Sequence, residues 1–152
     1  MEELRAAYET TQFIVVKLND EQYGIDIKYI DNIIRMQQIY RVPKVQQYIK
    51  GVINLRGEVI PVISIRAKMG FEQVAETKAT RIIIVKIDGS DTVGLIVDEV
   101  KEVVTLEASQ VEKVSYDAKE EKPNYVPAVG KDKGELISLL DLHTLFAEKE
   151  NS

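Results

Sequence analysis

Short runs rich in β-branched residues, separated by polar turns, set the pattern of the chain. Phe13-Ile14-Val15-Val16-Lys17-Leu18 favours strand over helix by its length and branching. Asn19-Asp20-Glu21-Gln22 is turn-like, and Tyr23, Ile25 and Ile27 then alternate with Gly24, Asp26 and Lys28 at the period of a half-buried strand. Phe13 to Ile27 therefore reads as a hairpin. Ile27, Ile30, Ile33 and Ile34 fit either a helical face or a one-turn connector leading into a strand that ends near Met36. Val42-Pro43 breaks the pattern. Val52-Ile53-Asn54-Leu55 and Glu58-Val59-Ile60 flank Arg56-Gly57 as a second hairpin, and Pro61 in the return run predicts an edge strand or a bulge. Ala67 to Gly70 predicts a short helix stopped by glycine.

The second half follows the same plan. Arg81 to Ile87 is a strand, Asp88-Gly89-Ser90-Asp91 its turn and Val93 to Val97 the return, which Val100, Val103 and Val104 continue. Ser115 to Asn124 is charged, contains Pro123 and is expected to be a mobile loop. Leu136 to Leu142 is a final strand and His143 to Lys149 a short terminal helix, while residues 1–11 read as a loose arm.

The two halves are copies. Gly24-Ile25-Asp26-Ile27 through Ile33-Ile34 recurs 70 positions later as Gly94-Leu95-Ile96-Val97 through Val103-Val104. Tyr48 to Val52 and Gly57 to Ile63 recur 77 positions later as Tyr125 to Val129 and Gly134 to Leu140. Many short strands and a duplication predict an all-β protein of two small barrels, at about residues 12–65 and 80–142 of one domain spanning 12–147, with strand exchange between them allowed. Each is too small to bury a large core alone, so an apolar contact between them is expected.

Composition narrows the function. The 152 residues are 45% apolar, enough for a packed interior. Net charge is −5, which argues against a nucleic-acid partner and against docking on an anionic membrane. The absence of cysteine removes disulfides, thiolate zinc sites and a cysteine nucleophile. No apolar run approaches the ~18–20 residues that span a bilayer, and Met1 to Thr10 has no secretory core, so a cytoplasmic protein is expected.

Catalytic patterns are missing. His143 is the one histidine, and it sits beside Leu142 as a partly buried structural residue would. Neither a phosphate-binding glycine loop nor a G-x-S-x-G elbow is present. Carboxylates lie mostly in turns and charged runs such as Asp98-Glu99 and Glu120-Glu121, which reads as a solvated surface. An acid pair of the glycosidase kind is the alternative they leave open. No cofactor and no metal are expected.

The copies agree at apolar and glycine positions, which packing and backbone geometry require. They differ at the second hairpin, where Asn54-Leu55-Arg56-Gly57 stands against Lys131-Asp132-Lys133-Gly134. Arg56 carries a rigid fork of donors suited to a partner's carboxylate or carbonyl groups. The plainer reading is a turn arginine reaching water.

Gly51-Val52-Ile53-Asn54-Leu55-Arg56-Gly57, with Tyr23 to Ile27, Val42-Pro43 and Val59 to Ile63, closely resembles the CheW family of chemotaxis coupling proteins. Val93 to Val100 and Leu136 to Leu142 resemble it as well, so the likeness covers about residues 12–146. The resemblance implies two SH3-like five-stranded β-barrels packed on each other, with short helices at the ends. It implies a non-catalytic adaptor joining the cytoplasmic tips of methyl-accepting chemoreceptors to the regulatory domain of the histidine kinase CheA in membrane-associated arrays. By position it assigns Ile30, Asn32, Arg56 and Gly57, with Ile82 and Val100 on the other wall, to receptor binding. It assigns Ile39, Val42, Pro43 and Gly51 to kinase binding. The family often has glutamate where this chain has Asn32, and the second copy has Glu102 there, so Arg56 lacks that acidic partner. A paralogous adaptor serving another receptor–kinase pathway is the neighbouring alternative.

Overall fold

The first two predicted hairpins form around turns whose residues take the left-handed conformation. The computed structural model describes residues 9–87, 89, 92–114 and 124–147. β1 (Thr10–Leu18) and β2 (Glu21–Asp26) flank Asn19 and Asp20, at φ 53° and 66°. Two successive positive φ values make a type I′ turn, whose twist suits a tight hairpin. Thr10 and Thr11 belong to β1, not to a loose arm, and residues 1–8 lie outside the described residues.

A 3₁₀ turn at Ile27–Tyr29 leads into β3 (Ile30–Arg35), which settles the isoleucine-rich stretch as connector and strand. β4 (Ile49–Leu55) and β5 (Glu58–Ser64) flank Arg56 and Gly57 at φ 54° and 84°. α1 (Ile65–Lys68) follows, its N-terminus capped by the Ser64 hydroxyl, which accepts from the Ala67 N–H at 3.1 Å. In the second half, β6 (Arg81–Lys86) and β7 (Thr92–Val97) pair as the expected hairpin. β8 (Glu99–Glu107) does not continue β7: the chain bends at Asp98 and β8 joins the other sheet beside β1. β9 (Val111–Lys113), β10 (Ala128–Asp132), β11 (Glu135–Leu139) and α2 (Leu142–Ala147) complete the described elements. The loop expected at Ser115–Asn124 lies, except for Asn124, outside the described residues.

The strands form two sheets, ordered β3-β6-β7-β5-β4 and β8-β1-β2-β11-β10-β9. By the repeat, β3 corresponds to β8, β6 to β1, β7 to β2, β5 to β11 and β4 to β10. The two sheets therefore share one strand order, and the six-stranded sheet adds β9. The first copy has only a single bridge at that place, Tyr40 with Val52, where β9 pairs Glu112 with the equivalent Val129.

The copies exchange their first hairpins: β6–β7 lies between β3 and β5, and β1–β2 between β8 and β11, and each exchange includes one parallel pair. β11 pairs with β2 through Leu139 and Gly24, and β5 pairs with β7 through Val62 and the equivalent Gly94. A Cβ at Gly24 would lie 2.9 Å from Leu139 Cδ2 and one at Gly94 2.8 Å from Ile82 Cγ2, so each glycine makes room for a side chain of a neighbouring strand. The chain accordingly divides into two units that cut across the repeats. One comprises 17–20 and 28–100, the other the described parts of 1–16, 21–27 and 101–152. Ile53, Ile60, Val62, Ile82 and Ile84 form the core of the first, and Phe13, Val15, Val104, Leu106, Ile137 and Leu139 that of the second.

Pro61 lies in an interior strand, between β7 and β4, not at an edge. Its partner Val52 turns both backbone groups away from β5, to Tyr40 (2.9 and 2.8 Å). Val52 and Pro61 are thus a non-hydrogen-bonded pair, and the proline nitrogen faces a stretch where the ladder to β7, which begins at Val62, has not started. The ladder irregularity in this hairpin falls instead between Ile49 and Gly51.

Gly51 is the tightest point of the first copy. Its φ is 145°, and a Cβ there would lie 2.2 Å from the Tyr40 carbonyl oxygen. Gly51→Ala is expected to lower the unfolding free energy by about 3 kcal/mol or more, against about 1 kcal/mol for Gly57→Ala in the open turn. Urea denaturation followed by circular dichroism measures both, and equal effects would refute the close-approach argument.

Candidate functional site

The five-stranded sheet carries most of the residues assigned to partner binding, and it separates them. Strand directions put the start of β3, the start of β5 and the end of β4 at one end of the sheet. Ile30 opens β3 there, half-buried, and lines a cavity of about 360 Å³ with Lys28, Asp31 and Lys86. The Lys28 ammonium lies 5.0 Å from the Tyr29 ring centroid. Arg56 and Gly57 form the exposed hairpin tip at the same end. Asn54 holds this tip by accepting the Gly57 N–H at 3.0 Å. Arg56 and Lys133 occupy the same turn position, at φ 54° and 50°, so the backbone is shared by both copies and the arginine side chain is what distinguishes the first. Asn32 follows a β-bulge, and its side chain accepts the Ile33 N–H at 2.9 Å.

Ile82 is a correction. It is fully buried in the core with Ile53 and Ile84, so packing within the sheet occupies its side chain and no partner can touch it. Val100 is half-buried at the start of β8, two residues beyond the Asp98 bend.

The second group lies toward the opposite end, where β4 begins and α1 follows β5. Val42 and Pro43 are exposed and line a groove of about 750 Å³ with Ile49 and Ala67. Ile39 is half-buried against the core and faces a separate cavity of about 320 Å³ shared with Arg66 and Asp98. Gly51 is buried under Tyr40 and offers no side chain, so among these residues it positions the 39–43 segment and does not contact a partner. Between the two ends, Tyr40 (54% exposed), Val52, Val59 (65% exposed) and Pro61 share the outer face of the β4–β5 hairpin. Leu136, the equivalent of Val59, is likewise 60% exposed.

Arg66 organises the groove end, and sequence reasoning missed it. Its Nε and Nη2 donate to Asp98 Oδ1 and Oδ2 at 2.9 and 2.8 Å, and Nη1 donates to the Glu72 carbonyl at 2.6 Å. Asp98 Oδ2 also accepts the Asn19 N–H at 3.0 Å, and the Asp98 N–H donates to the Lys17 carbonyl at 3.1 Å. Asp98 had read as one of many solvated carboxylates, and no local spacing links it to an arginine 32 positions away. Burial alone would push its carboxyl up, but the Arg66 and Asn19 hydrogen bonds, with the Arg66 and Lys17 charges, hold it below the usual carboxylate range. That is the wrong direction for a general acid.

Among the described residues, no group of three His, Asp or Glu side chains is arranged to hold a metal ion, and no helix is long and apolar enough to cross a membrane.

Residues 12–150 match the CheW-like domain family model. The chemotaxis protein CheW of Bacillus subtilis is 33% identical over 93% of this chain and 89% of its own length. That of Klebsiella aerogenes is 31% identical over 91% and 83%. The crystal structure of the scaffolding protein TtCheW from Thermoanaerobacter tengcongensis superposes with a TM-score of 0.83 at 32% identity, over 93% of this chain and 95% of the other.

Arg66→Met is expected to destabilise the protein by about 2–3 kcal/mol, because it leaves a partly buried Asp98 without its charged donors, and Arg66→Met/Asp98→Leu should recover part of the loss. Because folding lowers the Asp98 pKa, its contribution is full above about pH 4, the unfolded value, and is lost as pH falls through the lower folded value. Asp98→Asn should therefore flatten the acid limb of the stability curve, and an unchanged limb would refute the pair's role.

Proposed function

From the CheW-like family, to which this chain belongs, we propose that it is a non-catalytic coupling adaptor in chemotaxis. It joins chemoreceptor cytoplasmic tips to the regulatory domain of the kinase CheA, and works in the cytoplasm at receptor arrays. The family is that of chemotaxis scaffold proteins, and the fold is the same all-β pair of SH3-like subdomains. The observation that carries the reading is the separation of two residue groups that reach the surface toward opposite ends of one sheet. Ile30, Arg56 and Gly57 lie at one end and Val42 and Pro43 toward the other, so two partners can be held at once without sharing atoms. Simultaneous contact converts a second binding event into an intramolecular one, which is what coupling requires.

Within this reading, Arg56 offers its guanidinium to the receptor tip, with Ile30 and Asn32 on β3 and Val100 at the start of β8. Ile39, Val42 and Pro43 serve the kinase, with Gly51 shaping their backbone. Ile82 supports the sheet from inside.

Full-length protein should capture a receptor cytoplasmic hairpin and a CheA regulatory domain together, with neither displacing the other. Arg56→Glu should weaken receptor capture about tenfold, as loss of an interface anchor does, and leave kinase capture and thermal stability unchanged. Failure to hold either partner at tens of micromolar refutes the adaptor reading, and unfolding of the variant refutes the assignment of Arg56.

A further inference from the structure

The groove beside α1 has the opposite sign to the rest of the molecule. Its lining includes Arg41, Lys44 and Lys50 and no aspartate or glutamate, on a chain of net charge −5. Val42 and Val45, each 38% exposed, and the half-buried Phe71 give it apolar footing between those cations. Just outside it, the Lys68 ammonium lies 3.8 Å from the Tyr48 ring centroid. The copies differ at the strand that leads into it. At the matching place the second copy pairs three residues of β9 with β10, whereas the first makes the one Tyr40–Val52 bridge and then runs out as the exposed 41–47 stretch. The far wall is fixed: Arg66 holds the Glu72 carbonyl, the Phe71 N–H donates to the Arg66 carbonyl at 2.7 Å, and the Gln73 side chain meets the Ser64 hydroxyl at 3.4 Å.

We infer that this groove binds an extended acidic polypeptide segment of a protein partner, with carboxylates against Arg41, Lys44 and Lys50 and intervening apolar side chains on Val42, Val45 and Phe71. A volume of about 750 Å³ falls in the range of clefts that enclose a ligand, which suits a chain laid in a furrow better than the flat face of a membrane. Steering by three cations raises the encounter rate and rejects basic segments. The inference rests on the adaptor reading for the partner being a protein, and deepens it by naming the chemistry recognised at the Val42–Pro43 surface.

The test uses isotopically labelled full-length protein and two synthetic peptides, one alternating glutamate and valine, the other lysine and valine. The acidic peptide should shift amides of residues 41–50 and 67–73, and the basic one should not. Raising salt from about 50 to about 500 mM should weaken binding about tenfold. Arg41→Glu/Lys44→Glu/Lys50→Glu should abolish the shifts while the melting temperature is kept. If that variant fails to fold, exposed Lys44→Glu alone should still lower affinity about threefold. Equal binding of both peptides, shifts elsewhere, or no shifts at about 1 mM peptide overturn the inference. So does the absence of peptide binding with charge-reversible sedimentation on phosphatidylglycerol vesicles, which would make the groove a lipid site. Capture of receptor and kinase is scored separately. If capture fails while the peptide results hold, the adaptor reading falls and the groove stands; if capture succeeds and the peptide results fail, the groove inference alone falls.

Discussion

Arg66 spends every arm of its guanidinium on keeping distant pieces of backbone in register. Two arms clasp Asp98, at the bend where β7 gives way to β8, and the third takes the carbonyl of Glu72. Through Asp98 the same cluster reaches the turn between β1 and β2. With side chains 12% and 26% exposed, the pair is dry enough for its hydrogen bonds to be directional and wet enough to avoid a large desolvation cost. Whatever binds near Val42 and Pro43 meets a wall whose position this ion pair sets. The segments it joins have no apolar periodicity in common, and its hold on the Glu72 carbonyl adds to the Phe71 and Gln73 hydrogen bonds that keep the 71–73 stretch beside α1.

The duplication explains which features are generic. Both copies make the same tight turn with a cationic residue in the left-handed region, both place a glycine where a parallel strand crosses, and both leave an apolar side chain bare on the outer hairpin face. The first two recur because the barrel needs them, whereas the third leaves each hairpin with an exposed apolar side chain that packing does not use. The differences are the informative part. A single bridge replaces β9, and an asparagine brace and an arginine tip replace Lys131 and Lys133. Both fall on the five-stranded sheet, which carries most of the residues assigned to partner contact.

Hairpins and turns were legible in the sequence because their causes are local. Asn19-Asp20 and Arg56-Gly57 announce themselves through alternation and turn chemistry within a few residues. Pro61 misled because being at an edge is a property of the whole sheet. Only the offset start of β7 and the outward turn of Val52 explain how an interior strand tolerates a proline. Ile82 misled for a related reason: a residue assigned by position along a motif carries no statement of which way its side chain points, and here it points into the core. Arg66 and Asp98 left no trace, since one closes an apolar run and the other sits in an ordinary acidic dipeptide. Net charge concealed the basic furrow, because a sum over the chain erases a local excess of three cations.

The crossing of strands between the copies bears on how the molecule is made. Everything the five-stranded sheet requires has left the ribosome once Val97 emerges. The six-stranded sheet must wait for β11, because β2 near the start of the chain finds its parallel neighbour only there. Until β8 emerges the first hairpin thus has both edges bare, and its β2 edge stays so until β11, a condition that invites chaperones and makes mispairing with a neighbouring nascent chain the hazard built into this topology.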